Sequence, residues 1–379
     1  MEERKMILKM LDEGKISSAE AVELLKAVGE NDIGEEKQPV RTAKVNYSGQ
    51  KEQTNEQKTG STNQQQKTHN THTYEKKSEQ STISKFSSLI DRVVTKLKDT
   101  DFDFNFGQAV EIDHVFQEND VDFNRLKVHV TNGGIQLHPW EEQSVRVECH
   151  VSVYRTQSTE EAKAYFLKNA HFATESGELQ FLVDENRLKV QAHMYVPTKM
   201  YEQIQLRTAN GAITLDELQT DRMIVRTTNG AVTLNRVDGG SLNASTSNGK
   251  IRLDQSNWKK LDLETLNGAI RLNGKYEDVE AETLNGSINF TLEDAMPGKA
   301  SFKTVAGKIE ILVPDSLRVD GNMKATIGSL NCFLDKVDIK KETKDVVLKR
   351  MEFIANEEAP TTYEIEAVAK TGSISIAKR

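Results

Sequence analysis

The sequence predicts a mainly β protein: a parallel β-solenoid of roughly 19-residue rungs, preceded by a small α-helical hairpin and a disordered linker. Two observations carry this. One motif, Thr-x-Asn-Gly-x-Ile-x-Leu, recurs at near-constant spacing, and apolar side chains keep a fixed register around it. The motif reads TANGAITL from Thr208, TTNGAVTL from Thr227, TSNGKIRL from Thr246, TLNGAIRL from Thr265 and TLNGSINF from Thr283, with a degenerate copy, TVAGKIEI, from Thr304. Its marker glycines are Gly211, Gly230, Gly249, Gly268, Gly286 and Gly307, spaced by 19, 19, 19, 18 and 21 residues. Looser copies surround Gly328 and Gly372, and an early one, TNGGIQL, starts at Thr131. Its Gly133 lies 78 residues before Gly211, close to four repeat lengths.

Seven and five residues before each marker glycine the side chain is apolar, from Ile204 and Leu206 through Ala300 and Phe302. Two and four residues after it the side chain is apolar again, from Ile213 and Leu215 through Ile309 and Ile311. Each unit is therefore two short strands with one inward face each, joined at a T-x-N-G corner and closed by a more variable turn. Asn-Gly is also the strongest two-residue hairpin signal, so an antiparallel meander is the rival. A meander does not require the same residues at every second strand over six units. Stacked rungs do, because they place like over like. Asn210, Asn229, Asn248, Asn267 and Asn285 are then expected to form a ladder of side-chain amides. Gly211, Gly230, Gly249, Gly268 and Gly286 suit the corner because glycine accepts positive φ without steric cost.

The β region spans 101–379. Phe102, Phe104 and Phe106 alternate at its start as a strand with one buried face does. Residues 140–200 are less regular, and YRTQSTEEAKAYFLKNAHF reads as an inserted helix.

Three further segments precede it. Residues 1–30 read as a helical hairpin: Gly14 breaks the first helix, and Ser17 with Glu20 has capping-box spacing ahead of the second. Its apolar positions Ile7, Leu11, Val22 and Leu25 form a candidate partner face, because two helices of this length bury too little surface alone. Residues 31–82 are nearly devoid of large apolar side chains and cannot offset their ordering entropy, so disorder is expected; His69 and His72 lack companions for a metal site. Residues 83–98, ISKFSSLIDRVVTKLK, form an amphipathic, basic helix. It suits a cap on the solenoid's end, or peripheral contact with an anionic membrane.

Composition narrows the function. The chain of 379 residues carries a net charge of −8 with no basic stripe along its body, which argues against a general nucleic-acid binder. Its two cysteines, Cys149 and Cys332, sit in apolar strand-like runs and are expected to be buried thiols, which fits a reducing compartment. There is no signal peptide and no apolar run of membrane-spanning length, so the sequence reads as cytoplasmic or peripheral to the inner membrane face, with non-classical surface exposure the other option. No catalytic or metal motif stands out, and no cofactor is expected. Six histidines of the β region, His114, His129, His138, His150, His171 and His193, are scattered without ligand spacing. Arg252, Arg271, Asp262, Glu264 and Glu282 fall at outward positions, where charges are expected to be solvated.

With the tandem TxNGxIxL and the N-terminal ILKMLDEGKISSAEAVELL in view, the chain resembles the putative-adhesin β-strand-repeat family of Gram-positive bacteria. This is a domain of unknown function preceded by a helical hairpin, of YvlB/LiaX-like type. The resemblance covers nearly the whole chain apart from the linker. It implies a role in the cell-envelope stress response, and it supplies no catalytic residues. The expectation is a non-enzymatic binding or scaffold protein. Its solenoid would face a protein partner, an envelope-stress membrane component, a peptide or a glycan, and its hairpin would be an interaction or self-association module. The alternatives are a surface adhesin and a polysaccharide-acting β-helix enzyme.

Overall fold

The computed structural model describes residues 108–345 and 348–379. The hairpin with Ile7, Leu11, Val22 and Leu25, the linker, the helix at 83–98 and the phenylalanine alternation lie outside the described residues. Those described form 23 strands and one helix around a single apolar core.

The repeat units stack as parallel rungs. Met200–Asn210 pairs in parallel with Gln219–Arg226, which pairs with Asp238–Asn248, and the same register continues through Ile251–Asn267 and Ile270–Asn285 to Gly298–Ala306. These segments form a first face of the solenoid. The segments after each corner, such as Ile213–Asp216 and Val232–Asn235, stack likewise into a second face. A meander would pair neighbouring strands antiparallel and is excluded. Every apolar column named above points inward: Ile204, Leu206, Ile213 and Leu215 are fully buried, as are their counterparts down the stack.

The corner glycines are needed for a reason other than the expected one. Gly211, Gly230, Gly249, Gly268 and Gly286 do not adopt the left-handed conformation. A Cβ on Gly230 would instead lie 1.9 Å from the carbonyl oxygen of Gly211, and the same distance recurs between Gly249 and Gly230. The rungs approach so closely here that no side chain fits between them. Positive φ at the corner is found in the looser copies, at Gly133 (121°) and Gly372 (143°) among others, and in the other turn on the non-glycine residues Glu217 (55°), Arg236 (51°) and Gln255 (50°).

Chain order and spatial order differ at both ends. Arg125–Asn132 lies directly beside Met200–Asn210, so Gly133 and Gly211 are adjacent and the 78-residue interval holds no intervening repeats. That interval contains Val145–Tyr154, the helix Thr159–Asn169, Ala170–Glu175, Glu178–Val183 and Leu188–Pro197. Glu178–Val183 pairs with the far side of Arg125–Asn132. At the other end Thr362–Thr371 inserts between Gly298–Ala306 and Arg318–Ile327, and Ile374–Lys378 inserts between Ile309–Val313 and Leu330–Phe333. The last rung in sequence is therefore an interior rung in space.

Antiparallel strands finish each end. Ala109–Glu118 pairs with Val145–Tyr154, Ala170–Glu175 with Glu178–Val183, and Lys349–Ala355 with both Arg318–Ile327 and Val337–Lys344. The inserted helix Thr159–Asn169 covers the first end. Ser158 caps it by accepting a 3.1 Å hydrogen bond from the Glu161 N–H. Its Ala162 and Phe166 are buried, with Phe166 5.9 Å from Phe116, whose ring also contacts Phe172 and Phe181. Cys149 is buried and its thiol is pushed up to about 12 by that burial. Cys332, expected to be buried, is only half-buried, because its strand Leu330–Phe333 pairs on one side only.

Candidate functional site: a charge-segregated outer face

The T-x-N-G corner is a structural device whose three polar groups are all used. Thr227 donates to the Gly211 carbonyl at 3.0 Å, Thr246 to Gly230 at 2.9 Å and Thr265 to Gly249 at 2.9 Å. The close glycine contact thus leaves a carbonyl that the next buried threonine satisfies. Beside it runs a directional amide ladder. Asn285 donates to Asn267 at 2.9 Å, Asn267 to Asn248 at 2.9 Å, and Asn248 to Asn229 at 2.8 Å. Asn229 donates to Asn210 and Asn210 to Asn132, both at 2.8 Å, and Asn132 ends the chain on the Asn186 carbonyl at 3.1 Å. Each asparagine inside this ladder donates to one neighbouring rung and accepts from the other, so its first role is to tie the rungs together.

The outward side of the first face is different. Parallel register aligns the position four residues before each marker glycine into one row: Arg207, Arg226, Ser245, Glu264, Glu282 and Lys303. The row two residues earlier reads Gln205, Ile224, Asn243, Asp262, Glu280 and Ser301. Cations occupy one half of the face, a neutral strand with Ser241, Asn243 and Ser245 crosses the middle, and carboxylates dominate the other half.

At the acidic end the face is concave. A groove of about 830 Å³ runs over several strands, lined among others by Glu280, Lys303, Arg350, Glu352, Glu364 and Glu366. Glu282, expected to be a solvated outward charge, is 6% exposed, and its partner Lys303 is 4% exposed. Lys303 donates to Glu282 and, at 3.1 Å, to Glu280. Burial alone would depress the Lys303 ammonium, but hydrogen bonds and charge from Glu282 and Glu280 outweigh it and hold its pKa above the ordinary lysine value. Burial pushes the Glu282 carboxyl up, with Lys303 opposing. The other outward charges stay in solvent contact: Arg252 and Arg271 are exposed, and Asp262 and Glu264 are partly so.

The histidines do not converge on one site. His150 sits in the open, with Nδ1 2.8 Å from Asp113 and Nε2 3.4 Å from Glu111, while His138 lies 3.6 Å from Asp216. Among the described residues no group of three or more His, Cys, Asp or Glu is arranged to hold a metal ion, and no helix is long and apolar enough to cross a membrane.

Comparisons with known proteins place the chain among relatives. The family model described as Toastrack DUF4097 matches residues 182–376, and that of a SHOCT-like domain matches residues 2–32. The chain is 35% identical over 376 residues to the uncharacterized protein YvlB of Bacillus subtilis (strain 168), covering 99% of this chain and 98% of that protein. Solved structures similar to it include a "putative adhesin" from Bacteroides fragilis NCTC 9343, with a TM-score of 0.43 and 13% identity over 70% of this chain and 97% of that one. A "putative lipid binding protein" from Parabacteroides distasonis ATCC 8503 gives a TM-score of 0.35 and 10% identity over 70% of this chain and 96% of that one.

Proposed function

This chain belongs to the Toastrack DUF4097 family, and from that premise we propose that it is a non-enzymatic binding and scaffold protein of the bacterial cell-envelope stress response. The first face of the solenoid is its partner surface and the N-terminal segment at 1–30 a separate interaction module. The observation that carries this reading is the segregation of charge on a rigid outer face. A face evolved only for solubility would intersperse the two signs evenly, whereas here the strands with Arg207, Arg222 and Arg226 carry an excess of cations and the strands beyond Ser245 an excess of carboxylates, with Lys260, Lys299 and Lys303 among them. Segregated charge favours encounter with a complementary partner and disfavours wrong ones.

The groove is the part of that face best shaped to hold something. Glu364 and Glu366 project from one strand into it, and no salt bridge to either occurs among the described residues. Complementing a deletion strain with Glu364→Gln/Glu366→Gln under a cell-wall-active antibiotic tests the role. Both side chains are exposed, so the fold is expected to stand while the induced stress response changes toward that of the deletion. A wild-type response from a normally accumulated variant contradicts the assignment of the groove.

A further inference from the structure

The cationic half of the first face has a local problem that the protein does not solve with its own side chains. Its outward grid, read strand by strand, is Arg125, Lys127 and His129, then Gln203, Gln205 and Arg207, then Arg222, Ile224 and Arg226. Arg207 and Arg226 are directly opposite each other, about 4.8 Å apart across the ladder, and both are exposed. Like charges in that relation destabilise a sheet. The carboxylates beside this grid are the exposed Glu202 and Asp221, next to Gln203 and Arg222 at its far end, and Asp184 near His129; no salt bridge joins any of them to Arg207 or Arg226 among the described residues. Arg125 is within 4.0 Å of Glu178 and 3.9 Å of Glu202, at the grid's far corner, while Arg207 and Arg226 make no ion pair among the described residues. The second face also sets two arginines opposite each other, Arg252 and Arg271, but there Asp254 meets Arg252 at 2.7 Å. The nearby His129 imidazole is lowered by burial first and then by Arg207 and Lys127, against the opposing pull of Asp184.

We propose that Arg207 and Arg226 form a binding site for a compact phosphate group, bridged by the two guanidiniums with Lys127 and Gln205 beside it. Guanidinium forks match the geometry of phosphate oxygens and bind them through paired charge-assisted hydrogen bonds. The phosphate is compact because of what lies next door. Asp262 and Glu264 stand only two strands beyond Arg226, about 10 Å away, which is on the scale of the Debye length. A long polyanion or a flat anionic membrane laid over the arginines would press against these carboxylates, whereas a single phosphate or diphosphate end would not. The site rests on the reading of this face as a binding surface and names one ligand class for its cationic half.

Calorimetric titration of the full chain with inorganic pyrophosphate, and separately with vesicles of phosphatidylglycerol and phosphatidylcholine, tests it. Pyrophosphate should bind, more weakly as salt rises, and Arg207→Gln/Arg226→Gln should lose about tenfold or more in affinity, equivalent to about 1.4 kcal/mol. Arg252→Gln on the other face should bind as the wild type does. The double variant removes a like-charge pair from exposed positions, so its thermal unfolding without ligand should be unchanged or slightly higher. Absence of pyrophosphate binding, or binding undiminished in the double variant, overturns the site. Vesicle binding without pyrophosphate binding also overturns it, in favour of a membrane surface. If pyrophosphate fails while the groove variants still alter the stress response, the face remains a partner surface and only the phosphate site falls.

Discussion

A single methyl group is enough to keep two rungs of this solenoid apart. The Cβ of an alanine at position 249 would sit 1.9 Å from the Gly230 carbonyl oxygen, against backbone that cannot move without displacing its own rung. Gly249→Ala should therefore cost about 3 kcal/mol or more. Gly177 is the useful contrast. Its φ is 74°, but a Cβ there would meet nothing nearer than the Asn124 side chain at 3.7 Å, so Gly177→Ala should cost only the conformational term of about 1–2 kcal/mol. Chemical denaturation of both variants separates the two causes, and equal costs would contradict the close-approach account. At the same scale Thr246→Val keeps the shape but removes the 2.9 Å bond to Gly230, for an expected loss of about 1 kcal/mol. The residue types of the motif were plain in the sequence, but their reasons were only half so. Repetition showed that glycine was required; it could not distinguish positive φ from close approach, because that depends on how near the next rung lies.

Lys303 and Glu282 belong to two neighbouring strands, and their interaction exists only because the rungs stack in register. Lys303→Met alone strands the buried Glu282 carboxylate and should destabilise by about 3–5 kcal/mol, whereas Lys303→Met/Glu282→Leu should be close to neutral. The pH dependence has a definite sign. The folded-state pKa of Lys303 is raised above its ordinary value of 10.5, so its contribution is fully present below that value and is lost as pH rises through the higher folded pKa. Alkaline denaturation should thus weaken the wild type more steeply than the double variant. The buried Tyr201, Tyr276 and Tyr363 hydroxyls, also raised by burial, are common to both proteins and cancel in the comparison. This pair could have been found without a structure. Glu282 and Lys303 both stand four residues before a marker glycine, in consecutive units, with opposite charge. The same column begins with Arg207 and Arg226, so the charge segregation of the outer face was also legible once the polar columns were aligned as carefully as the apolar ones. What no column reveals is that an outward position can be buried, since that follows from the curvature of the face over the groove.

For the whole molecule, the parallel solenoid was legible because stacking demands a period, and the period survives in residues 204–311. The ends were not, because they depart from it. Seventy-eight residues between two glycines looked like four repeats and proved to be an excursion, since arithmetic on spacing cannot tell a stacked rung from strands and a helix that finish an end. The C-terminal rung lies between two others for the same reason: chain order does not dictate stacking order. Removing 362–379 should accordingly leave a gap inside the stack rather than shorten it. Limited proteolysis of that truncation should cleave within 318–355 as readily as in an unfolded chain, while 200–290 stays protected. Protection of 318–355 would mean that the end holds together without its inserted rung. The central claim is that the first face, and not the second, meets the partner. Site-specific photocrosslinking in living cells addresses it most directly, with the reactive residue placed at Asn243 on the first face or at Thr233 on the second. The account predicts a discrete adduct from position 243 that disappears in the Glu364→Gln/Glu366→Gln or Arg207→Gln/Arg226→Gln background, and none from position 233. The reverse pattern, or adducts from 243 indifferent to those charges, would contradict it.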